Sequence, residues 1–385
     1  MTDARDAVIL PGSTIGILGG GQLGRMIAMA ARAMGYRVQV LDPDPSCPAR
    51  FVVDACFEAE WDDARAAADM ARGCDVITLE IEQVAIASLE AAQAFAPVRP
   101  GPRLLSLIQD KIVQKDWLAL HDVPVGDFRA ARSAEELRTA VGELGGKCFV
   151  KGARGGYDGR SQVKLGFDGP VADADYEAGW TSLGARPVIV ERAVELAQEI
   201  SVMVARSPRG EVKAFPPATN HHEKQILEWS VIPAEIPAEM EKRAREIALK
   251  IAAEMELEGL LAVEMFVTRD GGLLVNELAP RPHNSYHASE RACETSQFEQ
   301  AVRAICNLPL GDVDVVQPAA IVNLLGDLWA EREPKFDAAL AVPGVRLHLY
   351  EKQRARAGRK MGHLSGSGKT AEDAVARVIE AKGLL

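Results

Sequence analysis

Residues 14 to 34 constrain the fold of this chain more than any other stretch. Thr14–Leu18 (TIGIL) is a short apolar run, the pattern of a buried strand. Gly19-Gly20-Gly21 interrupts it. From Gln22 to Met34, the residues Leu23, Met26, Ile27, Ala30, Ala31 and Met34 recur on one helical face. Gly35 follows, where a helix C′ glycine is expected. Val38 and Val40 open a second strand that ends at Asp42, and Val76–Leu79 is a third. Strands alternating with helices predict a parallel sheet with helices on both faces. The spacing Gly19-x-Gly21-x-x-Gly24, between strand and helix, aims backbone N–H groups at an anion. Alone it fits three readings: a phosphate or nucleotide-like substrate, a nicotinamide cofactor with Asp42 on its ribose, or a tight turn with no ligand.

At 385 residues the chain has room for roughly two to three domains of about 150 residues. The hydrophobic share of 48% and charged share of 26% are those of an ordinary globular protein. Lys+Arg number 44 and Asp+Glu 55, a net charge of −11, which excludes a general binder of nucleic acid or anionic membrane. Any phosphate must therefore be met by a local cluster of donors. The six cysteines (Cys47, Cys56, Cys74, Cys148, Cys293 and Cys306) show neither C-x-x-C nor zinc-like spacing and read as scattered thiols. The apolar run Ala7 to Leu10 is too short for a signal-peptide core, and no run approaches the ~20 residues of a membrane span. A cytoplasmic protein is expected.

Ala96 to Pro102 is punctuated by proline and glycine and marks a boundary, after which Asp110–Leu120 reads as a helix. Lys147–Lys151 and Ser161–Leu165 are strand-like and flank Gly152–Arg160 (GARGGYDGR). Glycines let backbone donors approach a polyphosphate and let a loop close over it; Lys151, Arg154 and Arg160 would neutralise charge. Further on, Leu260–Thr268 and Leu273–Leu278 flank a turn at Arg269-Asp270-Gly271-Gly272. A two-residue turn at Asp270-Gly271 places Glu264 directly opposite Glu277; a turn at Gly271-Gly272 makes them diagonal neighbours on the same face. Adjacent carboxylates repel. A hard divalent cation with oxygen ligands relieves that repulsion, and Mg²⁺ bridging to phosphates is the usual case.

Asn276 to Ser285 (NELAPRPHNS) then supplies a guanidinium, an imidazole, an amide and a hydroxyl on a proline-stiffened loop, suited to a small anion beside a metal–phosphate centre. Near the C-terminus, Arg354, Arg356, Arg359 and Lys360, with Lys352 close by, form a basic cluster able to cradle one phosphate monoester or to serve as a solvated face. The last ~70 residues read as a small sheet closed by a helix near Ala371–Ala381.

Together these stretches resemble the ATP-grasp superfamily and, within it, the 5-(carboxyamino)imidazole ribonucleotide synthases of bacterial purine biosynthesis. The matching segments are Gly19–Met26 (GGGQLGRM), Gly155–Arg160 (GGYDGR), Asn276–Ser285 (NELAPRPHNS) and Gly358–His363 (GRKMGH). The chain departs from the family at Tyr286-His287-Ala288-Ser289, where Gly-His-Trp-Thr is commoner, and at Ser161, where glycine is common. The resemblance implies α/β and α+β architecture: an N-terminal Rossmann-like domain over 1–108, an ATP-grasp domain over 109–315 with a lid subdomain at about 124–195, and a small C-terminal β-rich domain over 316–385.

It further implies site residues. Lys111 and Lys151 would contact ATP phosphates or adenine. Gly156, Tyr157, Asp158, Gly159, Arg160, Ser161 and Gln162 would form the closing lid. Glu191, Arg192, Ala193 and Val194 would be the adenine hinge, with Glu199 on the ribose. His222 and Asn276 would also touch the nucleotide. Glu264 and Glu277 would hold magnesium, Glu277 also lying against ATP. Tyr157, Asp158, Arg281 and Asn284 would surround bicarbonate and the aminoimidazole. Gln22, Lys352, Arg359 and Lys360 would hold the ribonucleotide's phosphate. The implied reaction phosphorylates bicarbonate with Mg·ATP and carboxylates the amine of 5-aminoimidazole ribonucleotide, in a homodimer. A formate-dependent glycinamide ribonucleotide transformylase, a nicotinamide oxidoreductase and a non-catalytic nucleotide-binding module are the rival readings.

Overall fold

The computed structural model describes residues 7–155 and 162–385. The chain opens with β1 (Thr14–Leu18), α1 (Gln22–Ala33), β2 (Arg37–Asp42), β3 (Ala55–Glu58), α2 (Ala64–Ala71), β4 (Val76–Leu79) and α3 (Ile86–Gln93). The four strands form a parallel sheet ordered β3-β2-β1-β4. β1 and β4 are buried along their whole length because helices cover both faces, so they read as unbroken apolar runs. Strand order reverses at β1, which opens a crevice at the carboxyl ends of β1 and β4. The loop after β1 carries Gln22 to that crevice, and the loop after β4 carries Glu80 and Glu82.

The glycine loop does not behave as a dinucleotide cradle. Gly20 N–H donates to Asp42 Oδ2 at 2.7 Å, Gly21 N–H to Glu80 Oε1 at 2.9 Å and Gly24 N–H to Glu80 Oε2 at 3.2 Å. The donors that would face a pyrophosphate already face the protein's own carboxylates. Asp42 is 5% exposed and also accepts from Asp44 N–H, so it is not offered to a ribose. This corrects the nicotinamide reading. The glycines are needed for a different reason: a Cβ on Gly21 would lie 2.5 Å from Glu80 Oε1, and one on Gly24 would lie 2.5 Å from the Gly19 carbonyl. Burial pushes the Glu80 carboxyl up to about 7 although the Gly21 amide and Arg281 pull it down.

Next come α4 (Pro102–Ile108), α5 (Lys111–Leu120), β5 (Phe128–Ala131), α6 (Ala134–Glu143), β6 (Cys148–Gly152), β7 (Gln162–Leu165), α7 (Asp173–Ser182) and β8 (Val188–Arg192). Asp110 caps α5 by accepting from Ile112 and Val113 N–H. The strands form a separate antiparallel sheet ordered β5-β8-β6-β7, packed on α6 and α7 through Leu137, Val141, Val150 and Val190.

The central sheet is built from β9 (Leu196–Arg206), β10 (Val212–Ala214), β11 (Ala218–Glu223), β12 (Ile226–Ile232), β13 (Gly259–Thr268) and β14 (Leu273–Ala279), with α8 (Ala238–Glu254) between β12 and β13. After α9 (Ser289–Ala292) and α10 (Gln297–Ile305), the chain adds β15 (Ala319–Leu325), α11 (Phe336–Leu340), β16 (Val345–Leu349), β17 (Lys360–Ser367) and α12 (Ala371–Gly383). β15 pairs with β12, so β15, β17 and β16 extend the central sheet into one nine-stranded antiparallel array. The C-terminal strands are thus hydrogen-bonded to the central module as well as capped by α12. Apolar alternation shows which residues form a strand and is silent about which strand lies alongside.

Ile251, Val202, Val263 and Leu278 fill the layer between α8 and the sheet. Phe298, Val302 and Ile305 of α10 join the core of the N-terminal sheet, pinning that module to the centre. Arg99 reinforces the junction: it is 1% exposed and donates to Glu258 Oε2 at 3.0 Å and to the Ile305 carbonyl at 2.6 Å. No helix among the described residues is long and apolar enough to cross a membrane.

The packing at Gly24 sets two effects against each other. Helix propensity favours alanine over glycine inside α1 by about 1 kcal/mol. A Cβ 2.5 Å from a backbone oxygen forces a shift that costs about 1–3 kcal/mol. Gly24→Ala is therefore expected to lower the urea midpoint. A midpoint at or above wild type would show that the loop yields freely.

Candidate active site

A cavity of about 690 Å³ opens between the two antiparallel sheets and the N-terminal crevice. Its floor is the β13–β14 hairpin. Glu264 and Glu277 are register partners there, as expected, but not through a two-residue turn. Nearer the turn, Val267 pairs with Leu273 and Met265 with Val275, a register that continues to Glu264 opposite Asn276. A β-bulge at Asn276–Glu277 inserts one residue and brings Glu277 opposite Glu264. The side chains of Asn276 and Glu277 consequently both line the cavity, whereas strict alternation would send one into the core.

Helix α5 covers the outer edge of β14. Val275 N–H donates to the Pro124 carbonyl at 2.7 Å, Leu278 N–H to Gln114 Oε1 at 3.2 Å, and Lys115 Nζ to the Val275 carbonyl at 3.1 Å. Every such bond removes an edge group that would otherwise pair elsewhere.

Lys111 and His283 rest on the two acids. Lys111 Nζ lies 2.5 Å from Glu277 Oε1. His283 Nε2 lies 2.9 Å from Glu264 Oε1, and its Nδ1 is 2.8 Å from Ser285 Oγ, which is 2.8 Å from Ser201 Oγ. That hydroxyl chain orients the ring. Burial opposes ionisation of Glu264, but His283 outweighs it, helped by His222 and Lys111, and holds the carboxyl at about 2. The Asn276 Oδ1 atom is buried without a hydrogen-bond partner among the described residues. Two carboxylates, one against Lys111 and one against His283, and the unpartnered Asn276 Oδ1 on the same hairpin form the hard-oxygen donor set that suits Mg²⁺. The residues fit the ion.

A second charged group lies deeper. Glu191 sits between Lys115 Nζ at 3.0 Å and Lys151 Nζ at 2.7 Å. Burial opposes the Glu191 charge, yet Lys151 and Lys115 overcome it and hold the carboxyl at about 2. Burial also works against the charge on Lys151, but Glu191 and Glu277 outweigh it and raise its pKa. For Lys115 burial prevails and lowers the pKa despite Glu191. His222 Nδ1 is 2.8 Å from Glu199 Oε2; burial disfavours the charged ring, and Glu199 more than offsets that.

The third group joins all three modules. Gln22 Nε2 donates to Asn284 Oδ1 at 2.6 Å. Lys352 Nζ donates to Gln22 Oε1 at 2.7 Å and to the Lys360 carbonyl at 2.6 Å. Arg281 Nε lies 2.8 Å from Glu82 Oε1. Residues 22, 82, 281, 284, 352 and 360 meet although the chain separates them by up to 338 positions.

The structure therefore gathers Lys111, Lys151, Gln162, Glu191, Arg192, Val194 and Glu199 on one cavity wall. His222, Glu264, Asn276, Glu277, Arg281, Asn284 and Lys360 also line it. Gln22 and Lys352 reach it through Asn284 and Lys360. Two further expected residues fall outside the lining. Ala193 uses its N–H on the Lys147 carbonyl, and Arg359 turns back to donate to the Arg354 carbonyl at 2.9 Å. Expectations on Gly156, Tyr157, Asp158, Gly159, Arg160 and Ser161 lie outside the described residues. Tyr286 and His287, where the chain departs from the family pattern, are fully buried behind the loop; the Tyr286 hydroxyl lies 2.8 Å from the Ser201 and Pro216 carbonyls.

Sequence reasoning did not assign Glu82, Lys115 or His283 to the site. Lys115 follows Lys111 by one helical turn, and Glu82 ends the loop after β4 at the crevice, so both had a positional signal. His283 had only its place in the polar loop.

Residues 116–298 match the model of the ATP-grasp domain, residues 12–109 that of the ribonucleotide synthetase preATP-grasp domain, and residues 319–377 that of the phosphoribosylaminoimidazole carboxylase C-terminal domain. The N5-carboxyaminoimidazole ribonucleotide synthase of Bacillus subtilis is 40% identical over 360 residues, covering 93% of this chain and 92% of that protein. The chain belongs to the N5-carboxyaminoimidazole ribonucleotide synthase family.

The synthase of Brucella melitensis is 41% identical over 355 residues, covering 92% of this chain and 96% of its own. A solved family member in complex with ADP superposes with a TM-score of 0.90 at 42% identity, over 99% of this chain and 98% of the other. An Aspergillus clavatus synthase in complex with ADP and 5-aminoimidazole ribonucleotide gives 0.86 at 28% identity, over 97% and 98%. The ATP-grasp resemblance holds, and the chain is an ATP-grasp ligase. The formate-dependent reading is not favoured.

Glu191 links this site to stability. Its carboxyl titrates near 2 in the fold and near the ordinary 4.5 when unfolded. The stabilisation is therefore fully present above about pH 4.5 and is lost as pH falls toward 2. Glu191→Gln is expected to be less stable than wild type at pH 7, with the gap narrowing below about pH 4.5. Urea denaturation across that range checks it, and a gap independent of pH would contradict the pairing.

Proposed function

We propose that this chain uses ATP and bicarbonate to carboxylate the exocyclic amine of 5-aminoimidazole ribonucleotide, releasing ADP and phosphate. The supporting observation is the meeting of three groups on one cavity: the carboxylate pair Glu264/Glu277, the lysine-rich wall around Glu191, and the Gln22–Asn284–Lys352–Lys360 network.

Bicarbonate oxygen attacks the γ-phosphorus of ATP, the bond to the β-phosphate oxygen breaks, and carboxyphosphate and ADP form. Lys111 and Lys151 stand where negative charge on the transferring phosphoryl group would need neutralising. Glu264 and Glu277 would hold Mg²⁺, with Asn276 Oδ1 as a third oxygen; when bound, that ion withdraws charge from the phosphate oxygens. Lys111 and His283, resting on these acids in the structure, are the groups that would give way. Lys360 and Lys352 would bind the ribonucleotide's phosphate, with Gln22 orienting Lys352. Arg281, fixed by Glu82, and Asn284 would hold the carboxylate-bearing intermediate against the amine. The amine nitrogen then bonds to the carboxyl carbon and phosphate leaves. Asp158, proposed from the resemblance alone, takes the amine proton. Carboxyphosphate hydrolyses readily, so water must be excluded while it persists. The resemblance also supports a homodimer in the cytoplasm.

An ADP-release assay with and without bicarbonate and 5-aminoimidazole ribonucleotide tests the reaction. Full turnover should need both. Glu264→Ala is expected to lower kcat by roughly 100-fold or more, about 3 kcal/mol of transition-state stabilisation. Asp158→Asn should bind Mg·ATP yet lose carboxylated product. Wild-type turnover in folded Glu264→Ala would overturn the assignment of that acid. Sedimentation of the purified chain as a monomer would exclude the dimer.

A further inference from the structure

On β16, on β17 and just before α9, three imidazoles stand in a row. The rings of His287 and His363 stack at 4.6 Å with 12° between planes, and those of His363 and His348 at 4.5 Å with 7°. His287 and His363 are fully buried. The Nε2 atoms of both lack a hydrogen-bond partner among the described residues. Such an orphan is costly: an unsatisfied buried polar group destabilises by about 1–3 kcal/mol. The proposed reaction gives these rings no role.

His363 has the arrangement of a metal ligand. Its Nδ1 lies 2.7 Å from the Tyr350 hydroxyl, so the ring is oriented from one side while Nε2 stays available on the other. Ligating histidines commonly use one ring nitrogen for the ion and the other for such a partner. His348 Nε2 lies 3.6 Å from Glu290 Oε2. One ligand atom each from Glu290, His348 and His363 lies within 4.8 Å of the others. Glu290 and His348 line a cavity of about 610 Å³ beside α1 and α10, which gives an ion a route in from solvent.

We propose that Glu290, His348 and His363 form a binding site for a divalent transition-metal ion of the zinc class, separate from the carboxylate pair. Two imidazoles and one carboxylate are the donor set of many three-ligand zinc sites, with water in the fourth position. Nitrogen donors select against Mg²⁺, which prefers oxygen. Burial, with the neighbouring His287 and His348 rings, lowers the His363 pKa well below its ordinary value, so the lone pairs are free at neutral pH. Ligands at about 2.1 Å around a tetrahedral ion stand about 3.4 Å apart, so atoms now within 4.8 Å of one another must draw in by up to about 1.4 Å. Parallel rings cannot both point at one ion. The partly exposed His348 must turn out of the stack, while His363 stays fixed by Tyr350. Burial, then Arg346 and Arg291, lower the His348 pKa, and the two guanidinium charges oppose a bound cation.

The test uses the full-length chain, stripped of metal and held in millimolar Mg²⁺ so that the hard ion occupies Glu264 and Glu277. Co²⁺ is the spectroscopic probe and Zn²⁺ the competitor. One equivalent of Co²⁺ should bind with intense tetrahedral visible absorption, and Zn²⁺ should displace it. His348→Ala and Glu290→Gln should each weaken binding at least tenfold, leave Mg²⁺-dependent ADP release at the wild-type rate, and abolish a Zn²⁺-induced rise in Tm. Glu290 and the partly exposed His348 are chosen because a change at buried His363 could unfold the strand. Absence of bound Co²⁺ in wild type, or isotherms unchanged in both variants, would overturn the proposal.

Discussion

Two carboxylates held side by side govern the active-site end of this protein. At a typical cross-strand separation of about 5 Å and an effective dielectric of about 20, their mutual repulsion is roughly 3 kcal/mol, less where Glu277 meets solvent. Such a pair persists only with positive charge supplied. Lys111 supplies it, 2.5 Å from Glu277, while His283 Nε2 rests 2.9 Å from Glu264. The acids and the groups resting on them form a set that can exchange an internal partner for an external one. The surrounding structure serves this group: α5 delivers Lys111 and seals the edge of β14, the hydroxyl chain through Ser285 and Ser201 aims His283, and the bulge turns Glu277 toward its partner.

The same logic recurs in the N-terminal module with the sign reversed. There the glycine loop offers backbone donors, and the protein fills them with Asp42 and Glu80. A loop shaped to receive an anion is occupied by the fold's own carboxylates. Its function shifts from binding a dinucleotide to presenting Gln22 across the crevice to Asn284 and Lys352. Glycine is still required, because the Glu80 side chain and the Gly19 carbonyl leave no space for a Cβ.

Much of the fold was legible along the chain. The parallel N-terminal unit showed as apolar runs alternating with amphipathic helices, and the β13–β14 hairpin as two strands about a glycine turn. The carboxylate pair was legible too, though for a partly wrong reason, since turn chemistry does not reveal a bulge one turn of pleat away. Lys115 and His283 were harder to see. A lysine in a helix is usually solvated, and only the approach of Glu191 shows that this one is buried and paired. The continuity of β15 with β12 left no trace in composition or alternation.

The sequence by itself determined the chemistry available here: which carboxylates, lysines and amides exist, which segments become strands, and the motif order shared with the N5-carboxyaminoimidazole ribonucleotide synthases. Those follow from local periodicity and residue type, which are properties of short stretches. Tertiary structure alone decided which of these groups meet. It put Gln22 against Asn284 and Lys352, filled the glycine loop with Glu80, and stacked His287, His363 and His348 in one row. Such meetings depend on strand register and domain contact across hundreds of residues, and no local pattern encodes them.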